Sequence, residues 1–481
     1  MRRGGARGGA AWALCALGLA CAAAARASPP FAVGGDPRVD PADFEITTFA
    51  TGLAYPTSLQ LLADGSLLVL TNPPDPGGNL FASSGVLRRL VDADDDGVAD
   101  DAGSVLYAGL PGTATSVRRF EDLVVVSSRE TDSEKLSLLR AGATPADPLT
   151  LLGSIDFDFP YPFGGHRNVA LALRATPGPP GEIDVFFNAG SQFNDQATTG
   201  FFTASGLLSG VPGAGAMVAD TLYKVTVDPS GPVPALSDLE VIAEGVRNGA
   251  GLAFQPGTGD LWFQDNGPEL TTGGPEPKSP DELNRLAQAA IPPPAEDFGF
   301  PDDYVEYRTG TVVGGAAVQP EFAFQPFPDS QTGDESVGAV EIAFAPPDFP
   351  VGLDSGVFVG FHGNFNAAGL ANTDNAVVYC DLGTGAYFHF ISTHEPALGH
   401  PNGLLAAGDS LWLADLDADG NVLDAASSGA IYRIRALGHP VPALPSAWHR
   451  AGLALVLAGI AAAALSSASR SRAGSGRSRP A

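Results

Sequence analysis

Between Ser28 and Leu437 the apolar positions fall in short runs of strand length. They are rich in Val, Leu and Phe and broken by Gly, Pro, Asp and Asn. No apolar stripe of helical period and useful length interrupts them. The runs recur as hairpins. LQLLADGSLLVLTN (59–72) sets two short strands across an Asp-Gly turn, and SVRRFEDLVVVSS (116–128) does so across Glu-Asp. VALALRATPGPPGEIDVFFNAGS (169–191), GLAFQPGTGDLWFQDNG (251–267), VEIAFAPPDFPVGLDSGVFVGFHGN (340–364) and GLLAAGDSLWLADLD (403–417) follow. That makes six hairpins at roughly even spacing. Several are trailed by third strands such as GVLRRLVD (85–92), TLYKVTVD (221–228) and GAIYRIRAL (429–437). Some carry a fourth, SVLYAGL (104–110) or LEVIAEGV (239–246). A blade of three or four antiparallel strands cannot bury both its faces alone, so a repeat of this kind predicts a six-bladed β-propeller. FEITTFATGL (44–53) has no blade of its own and is expected to complete the last one, removing an open edge. A β-sandwich would need fewer and less regular hairpins.

Three excursions interrupt the pattern, at 192–220, 270–300 and 310–338. They follow the hairpins of the third and fourth blades and should cover one face of the ring. The densest polar cluster beside them is Glu244 to Glu269, EGVRNGAGLAFQPGTGDLWFQDNGPE, followed by DELNRL at 281–286. This stretch is the expected rim of an active site.

Charge narrows the function. The chain carries 26 Lys and Arg against 54 Asp and Glu, a net of −28. Nine of the basic residues and none of the acids lie before Ser28 or after Arg435, leaving 17 basic against 54 acidic residues in the body, a net of −37. Such a surface repels nucleic acid and anionic lipid and attracts cations. Residues 1–27 have a basic start, an apolar run from Ala10 to Ala25, and Ala25-Arg26-Ala27 before Ser28. They read as a secretory signal peptide, with a lipoprotein signal at Cys21 as the alternative. Residues 441–481 read as a proline-led linker, an apolar segment (Ala451 to Leu465) and an arginine-rich end. They form a sorting tail or a plain membrane anchor, the only expected membrane contact. The propeller is thus assigned to 28–440, exported and periplasmic, cell-surface or extracellular. Only Cys380 would remain in it; its apolar setting, AVVYC, marks a buried spectator.

The order of signals resembles the glucose/sorbosone dehydrogenase family, soluble six-bladed propellers that use pyrroloquinoline quinone (PQQ) and calcium. The resemblance runs through GLAYPTSLQLLADGSLLVL (52–70), GGHRNVALAL (164–173), GVRNGAGLAFQPGTGDLWFQDNGPE with PDELNRL (280–286) and DFGFPDD (297–303). GVFVGFHGN (356–364), GHPNGLL (399–405) and GAIYRI (429–434) complete it. It implies oxidation of an aldose or related sugar alcohol, with electrons passed to an external acceptor. His166 then takes the place of the catalytic base, a role that suits a neutral imidazole; from the residues alone it reads as a loop histidine bonded to a backbone carbonyl. Arg247 and Asn248 match the residues at the cofactor, and His400 stands where relatives often carry arginine. Gly267 and Pro268 match the corner whose backbone carbonyls bind calcium. Asp281, Glu282 and Asn284 are expected to brace that corner.

From Thr309 through Tyr432 the chain has no Lys or Arg. A tricarboxylate cofactor would then rely on Arg247, calcium and His400 or His362. The alternative is a catalytically degenerate propeller, a calcium-stabilised carbohydrate-binding or surface-interaction module. Two acidic runs, Asp92, Asp94, Asp96 before Gly97 and Asp415, Asp417, Asp419 before Gly420, resemble the first half of a calcium loop. Gly103 and Ala426 stand where a twelfth-position glutamate would be. These turns bind structural calcium or are merely solvated.

Overall fold

The computed structural model describes residues 31–74, 84–130, 133–159, 166, 169–268, 278–291, 294–306, 309–324, 338–362, 377–391, 400–416 and 428–438. The expected signal peptide and sorting tail, and Asp417 and Asp419, lie outside them. The described residues hold no helix long and apolar enough to cross a membrane.

Six sheets stand around an axis as the blades of a propeller. Blade one is β2–β5 (Ser58–Leu61, Leu67–Thr71, Val86–Leu90, Ser104–Ala108). Blade two is β6–β9 (Thr113–Phe120, Leu123–Arg129, Glu134–Arg140, Thr150–Asp158), extended by β12 (Thr203–Gly206). Blade three is β10, β11, β13 and β14 (Leu171–Ala175, Ile183–Ala189, Thr221–Asp228, Ala235–Glu244). Blade four is β15, β16, β17 and β21 (Leu252–Phe254, Leu261–Asp265, Glu282–Leu286, Phe322–Ala323). Blade five is β22–β25 (Ala339–Phe344, Val357–Phe361, Val377–Asp381, Ala386–Ile391). Blade six is β26–β28 (Pro401–Ala407, Ser410–Asp415, Gly429–Ala436) with β1 (Phe44–Leu53) as its outer strand. The first strand of each blade touches its counterparts in the two neighbouring blades, in the cyclic order β26, β2, β6, β10, β15, β22.

The ring is closed as the sequence predicts. β1 pairs antiparallel with β28, Phe44 opposite Ala436 and Leu53 opposite Gly429. Its buried residues enter two interfaces. Phe44 packs edge-on against Phe349 and Phe390, both 5.4 Å away, and Phe49 meets Trp412 at 4.9 Å. Each such ring contributes about 1.5–3 kcal/mol by leaving water.

The apolar interior forms six clusters, one between each pair of adjacent blades. Period-two alternation supplies them: one face of a strand packs on the preceding blade and the other on the next. In β16, Leu261 and Phe263 pack towards blade three and Trp262 towards blade five. Cys380, fully buried between blades four and five, has a thiol pushed well above its ordinary pKa by burial.

Each first strand begins at one mouth of the ring, here the upper, and its hairpin turns at the lower. Connections into each blade, and those from second to third strand, therefore gather at the upper mouth. The excursion at 192–220 lies there. The excursion at 270–300 departs from expectation in containing a blade strand, β17, whose polar Glu282 and Asn284 hide its strand character. After β17 the chain climbs the outer edge of blade three: β18 (Glu296–Asp297) pairs in parallel with β14. It delivers Phe298 and Phe300 to the upper mouth, where their backbone N–H groups donate to Glu244 and Gly245. A ribbon, β19–β20 (Tyr304–Glu306, Thr311–Val313), follows.

Candidate active site

Three strand-entry segments on blades three, four and six are fixed by the same device. A polar side chain on the second strand accepts a hydrogen bond from the backbone just before or at the start of the first. Asn188 Oδ1 takes the N–H of Ala170 at 2.7 Å. Asp265 takes those of Arg247 (2.8 Å) and Asn248 (2.5 Å), and Asp415 takes that of His400 at 2.8 Å. This holds His400, Arg247 and Asn248 in place. It also gives Asp415, 0% exposed, a use as a backbone staple. Sequence reading missed Asn188 and Asp265; the recurrence of Asn or Asp near the end of a second strand was the available signal.

His166 and Arg247 meet on one residue, Ser191. Ser191 N–H donates to the carbonyl of Arg247 at 2.7 Å, and its own carbonyl accepts from the His166 backbone at 2.8 Å and lies 3.1 Å from His166 Nδ1. Nδ1 therefore carries the proton, and Nε2 holds the lone pair. Gly190 permits the contact, since a Cβ there would lie 2.2 Å from the His166 carbonyl. Burial, then the charge of Arg247, hold the His166 pKa down at about 3, with Arg129 adding to them, so the imidazole is neutral near pH 7. Arg129, at the upper end of β7, is a second cation acting on this histidine, and sequence reading had not singled it out.

Arg247 is 1% exposed. Its Nε donates to the Asn194 carbonyl (2.8 Å), one terminal nitrogen to Asn194 Oδ1 (2.6 Å) and the other to the Asn266 carbonyl (3.0 Å). The fork that the resemblance gives to a carboxylate ligand thus also clamps the blade-three loop to the blade-four loop.

Beneath it, Arg247, Asp265, Asn266, Gly267, Pro268 and Glu282 line a cavity of about 20 Å³, room for one water or one ion. Gly267 is held by Asp281, whose Oδ1 accepts its N–H at 2.9 Å, the bracing expected of that residue. A Cβ at Gly267 would lie 2.5 Å from the carbonyls of Ser279 and Pro280. Burial pushes Glu282 up to about 8, helped by Asp265, and burial likewise pushes Asp265 up to about 6. Among the described residues, five buried oxygens of blade four find no hydrogen-bond partner: Asn248 Oδ1, Gln264 Oε1, Asn266 Oδ1, Glu282 Oε1 and Asn284 Oδ1. Buried polar atoms are nearly always satisfied. An orphan set made of oxygens alone is the donor chemistry of a hard cation such as calcium.

His400 is 1% exposed and lies between blades five and six, its Nδ1 2.6 Å from the His362 carbonyl and its ring 4.8 Å from the His362 ring. Burial, with the charge of His400, keeps His362 well below its ordinary pKa, so His362 adds no cation near pH 7. Asp92, Asp94 and Asp96 do come together, with carboxylate oxygens within 4.8 Å of one another. Their turn follows β4 and lies at the lower end of blade one. Asp92 accepts the N–H of Asp96 and Gly97, which shapes the turn without any ion.

No protein-family model matches the chain, and no curated protein matches it in sequence. Solved structures do. The holo form of the pyranose dehydrogenase PQQ domain from Coprinopsis cinerea matches at a TM-score of 0.54 and 15% identity, over 85% of this chain and 98% of that one. The iodide and calcium structures of the Trichoderma reesei carbohydrate-active enzyme of family AA12 match at 0.54 and 16% identity. They cover 84% of this chain and 98% and 97% of theirs. At such identities the likeness establishes the six-bladed fold.

Proposed function

We propose that the chain is a PQQ- and calcium-dependent oxidoreductase that oxidises a CH–OH group of an aldose or related sugar and passes the electrons to an external acceptor. The observation that carries this reading is His166: a neutral imidazole, oriented by Ser191, beside Arg247 and an oxygen-lined corner at one mouth of a propeller. The fold's likeness to a PQQ domain and to a calcium-containing family AA12 enzyme supports it.

In this reading the carbonyls of Gly267 and Pro268 hold calcium. Asn248, His400 and the positive field of Arg247, reinforced by Arg129, hold the quinone. When bound, PQQ supplies a two-electron acceptor for hydride. His166 Nε2 takes the hydroxyl proton of the sugar, while Nδ1–H stays on the Ser191 carbonyl and fixes the ring. Two cations suppress the basicity of this histidine; negative charge brought into the mouth offsets them and raises it. Export by residues 1–27 and retention by 441–481 complete the proposal.

Purified protein titrated with PQQ and calcium, then assayed for dye reduction on a panel of aldoses, tests the reading. Saturable quinone binding with sugar-dependent turnover is expected. No binding at micromolar quinone by folded protein would sink it and leave a non-catalytic binding module.

A further inference from the structure

The lower mouth is a different place. Where the six first strands end, a pocket of about 390 Å³ opens, within the range of small-molecule sites. Its surface is part apolar and part polar, with Phe254, Phe344 and Leu405 among the lining residues together with Gln60, Arg118 and Arg119. None of the described residues that line it carries a carboxylate. In a chain with 54 acids against 26 basic residues, two arginines and no acid among the described lining residues invert the local balance of charge, although Arg118 is paired with Glu341 behind the lining.

The two arginines are not equivalent. Arg118 is spent internally: its NH2 nitrogen bonds Glu341 at 2.6 Å, and NH1 reaches the Val117 carbonyl at 2.9 Å and Ser58 Oγ at 3.2 Å. Arg119 has no ion pair among the described residues, and its Nε is buried without a hydrogen-bond partner. Asp147, which shares an adjoining cavity with it, instead accepts the N–H of Thr144 at 2.8 Å. A buried guanidinium nitrogen with nothing to donate to costs free energy unless an acceptor arrives.

We propose that the lower mouth binds a small organic monoanion, a carboxylate on a short hydrocarbon tail, with the carboxylate on Arg119 and the tail against the apolar residues of the lining. The site lies at the opposite mouth from His166 and does not depend on the quinone reading.

Calorimetric titration of the full chain with hexanoate, and with neutral hexanamide, tests it without reference to enzyme activity. Saturable hexanoate binding is expected, with hexanamide and the Arg119→Gln variant each weaker by about tenfold or more, the effect of losing a charge-assisted hydrogen bond. Ala406→Phe, which adds bulk at a residue lining the pocket, should weaken binding at least as much. Absence of saturable hexanoate binding, equal affinity for hexanamide, or unchanged affinity in folded Arg119→Gln or Ala406→Phe would each overturn the proposal. Should either variant fail to fold, the contrast between hexanoate and hexanamide on the unaltered chain still decides.

Discussion

The two mouths of the ring are made by the same six inner strands and share almost no chemistry. The upper mouth collects long connections, and with them buried acids, unsatisfied oxygens, a neutral histidine and a buried arginine. The lower mouth collects hairpin turns and the apolar ends of the strands, with two arginines at its wall. Between them, the ion pair of Arg118 and Glu341 joins blade two to blade five, which stand opposite each other in a ring of six. Polarity in this fold follows connection length. Short turns leave only strand ends to line a cavity, whereas long loops bring polar backbone and side chains that need partners.

The largest effect expected from breaking this asymmetry is catalytic. If the upper mouth acts as proposed, His166→Gln should lower sugar-dependent dye reduction by about 10²–10⁴-fold, the usual worth of a general base. Its denaturant midpoint should stay near that of the unaltered chain. Equal loss of activity and stability would reduce His166 to a structural role.

Next comes the ion pair that bridges the ring. Arg118→Met leaves Glu341, whose side chain is 5% exposed, as a buried uncompensated acid, so urea unfolding should show a loss of about 3–5 kcal/mol. The double replacement Arg118→Met with Glu341→Leu should recover most of it. A single variant as stable as the parent would show that the pair contributes little to holding opposite blades together.

The smallest expected effect is a slope. Glu282, raised to about 8, binds its proton more tightly folded than unfolded. In calcium-free protein its contribution to stability is complete at low pH and is lost as pH rises towards 8. His166, lowered to about 3, acts in the opposite sense, adding stability as pH rises from about 3 to its unfolded value near 6.5. Of these two groups, Glu282 is the one that still contributes above pH 6.5. Stability should then fall with pH by at most about 1.4 kcal/mol per unit, and Glu282→Gln should flatten that fall. A flat profile in the parent would place the Glu282 pKa near the ordinary carboxylate range.

The blades were readable because their signal is local: alternation, turn residues and spacing are written within fifteen or twenty residues. β17 was not, because Glu282 and Asn284 occupy positions that alternation reserves for apolar residues, and only the neighbouring Asp265 and the cavity account for them. Motif position singled out His166, Arg247 and Gly267, which the fold brings to the upper mouth. Arg129 and Asn194 escaped because they join the site by the ring's geometry, from strand ends and loops distant in sequence. The acidic turn at Asp92 was legible as a cluster, but its place at the lower end of blade one follows from strand direction, which a single motif does not reveal. Asp415 stands in an equally suggestive run and serves as a staple inside the protein.

The strand that closes the ring has a consequence for how the chain folds. Pairing of Phe44–Leu53 with Gly429–Ala436 joins segments nearly four hundred residues apart. It becomes possible only after the C-terminal strand of blade six has been made, so the first blade strand synthesised is among the last to be placed. Until then Phe44 and Phe49 have no finished groove, and two blade interfaces stay exposed. Closure of so long a loop makes the final step slow relative to local hairpin formation. The interval in which the ring gapes is therefore set by the whole length of the propeller rather than by any one blade.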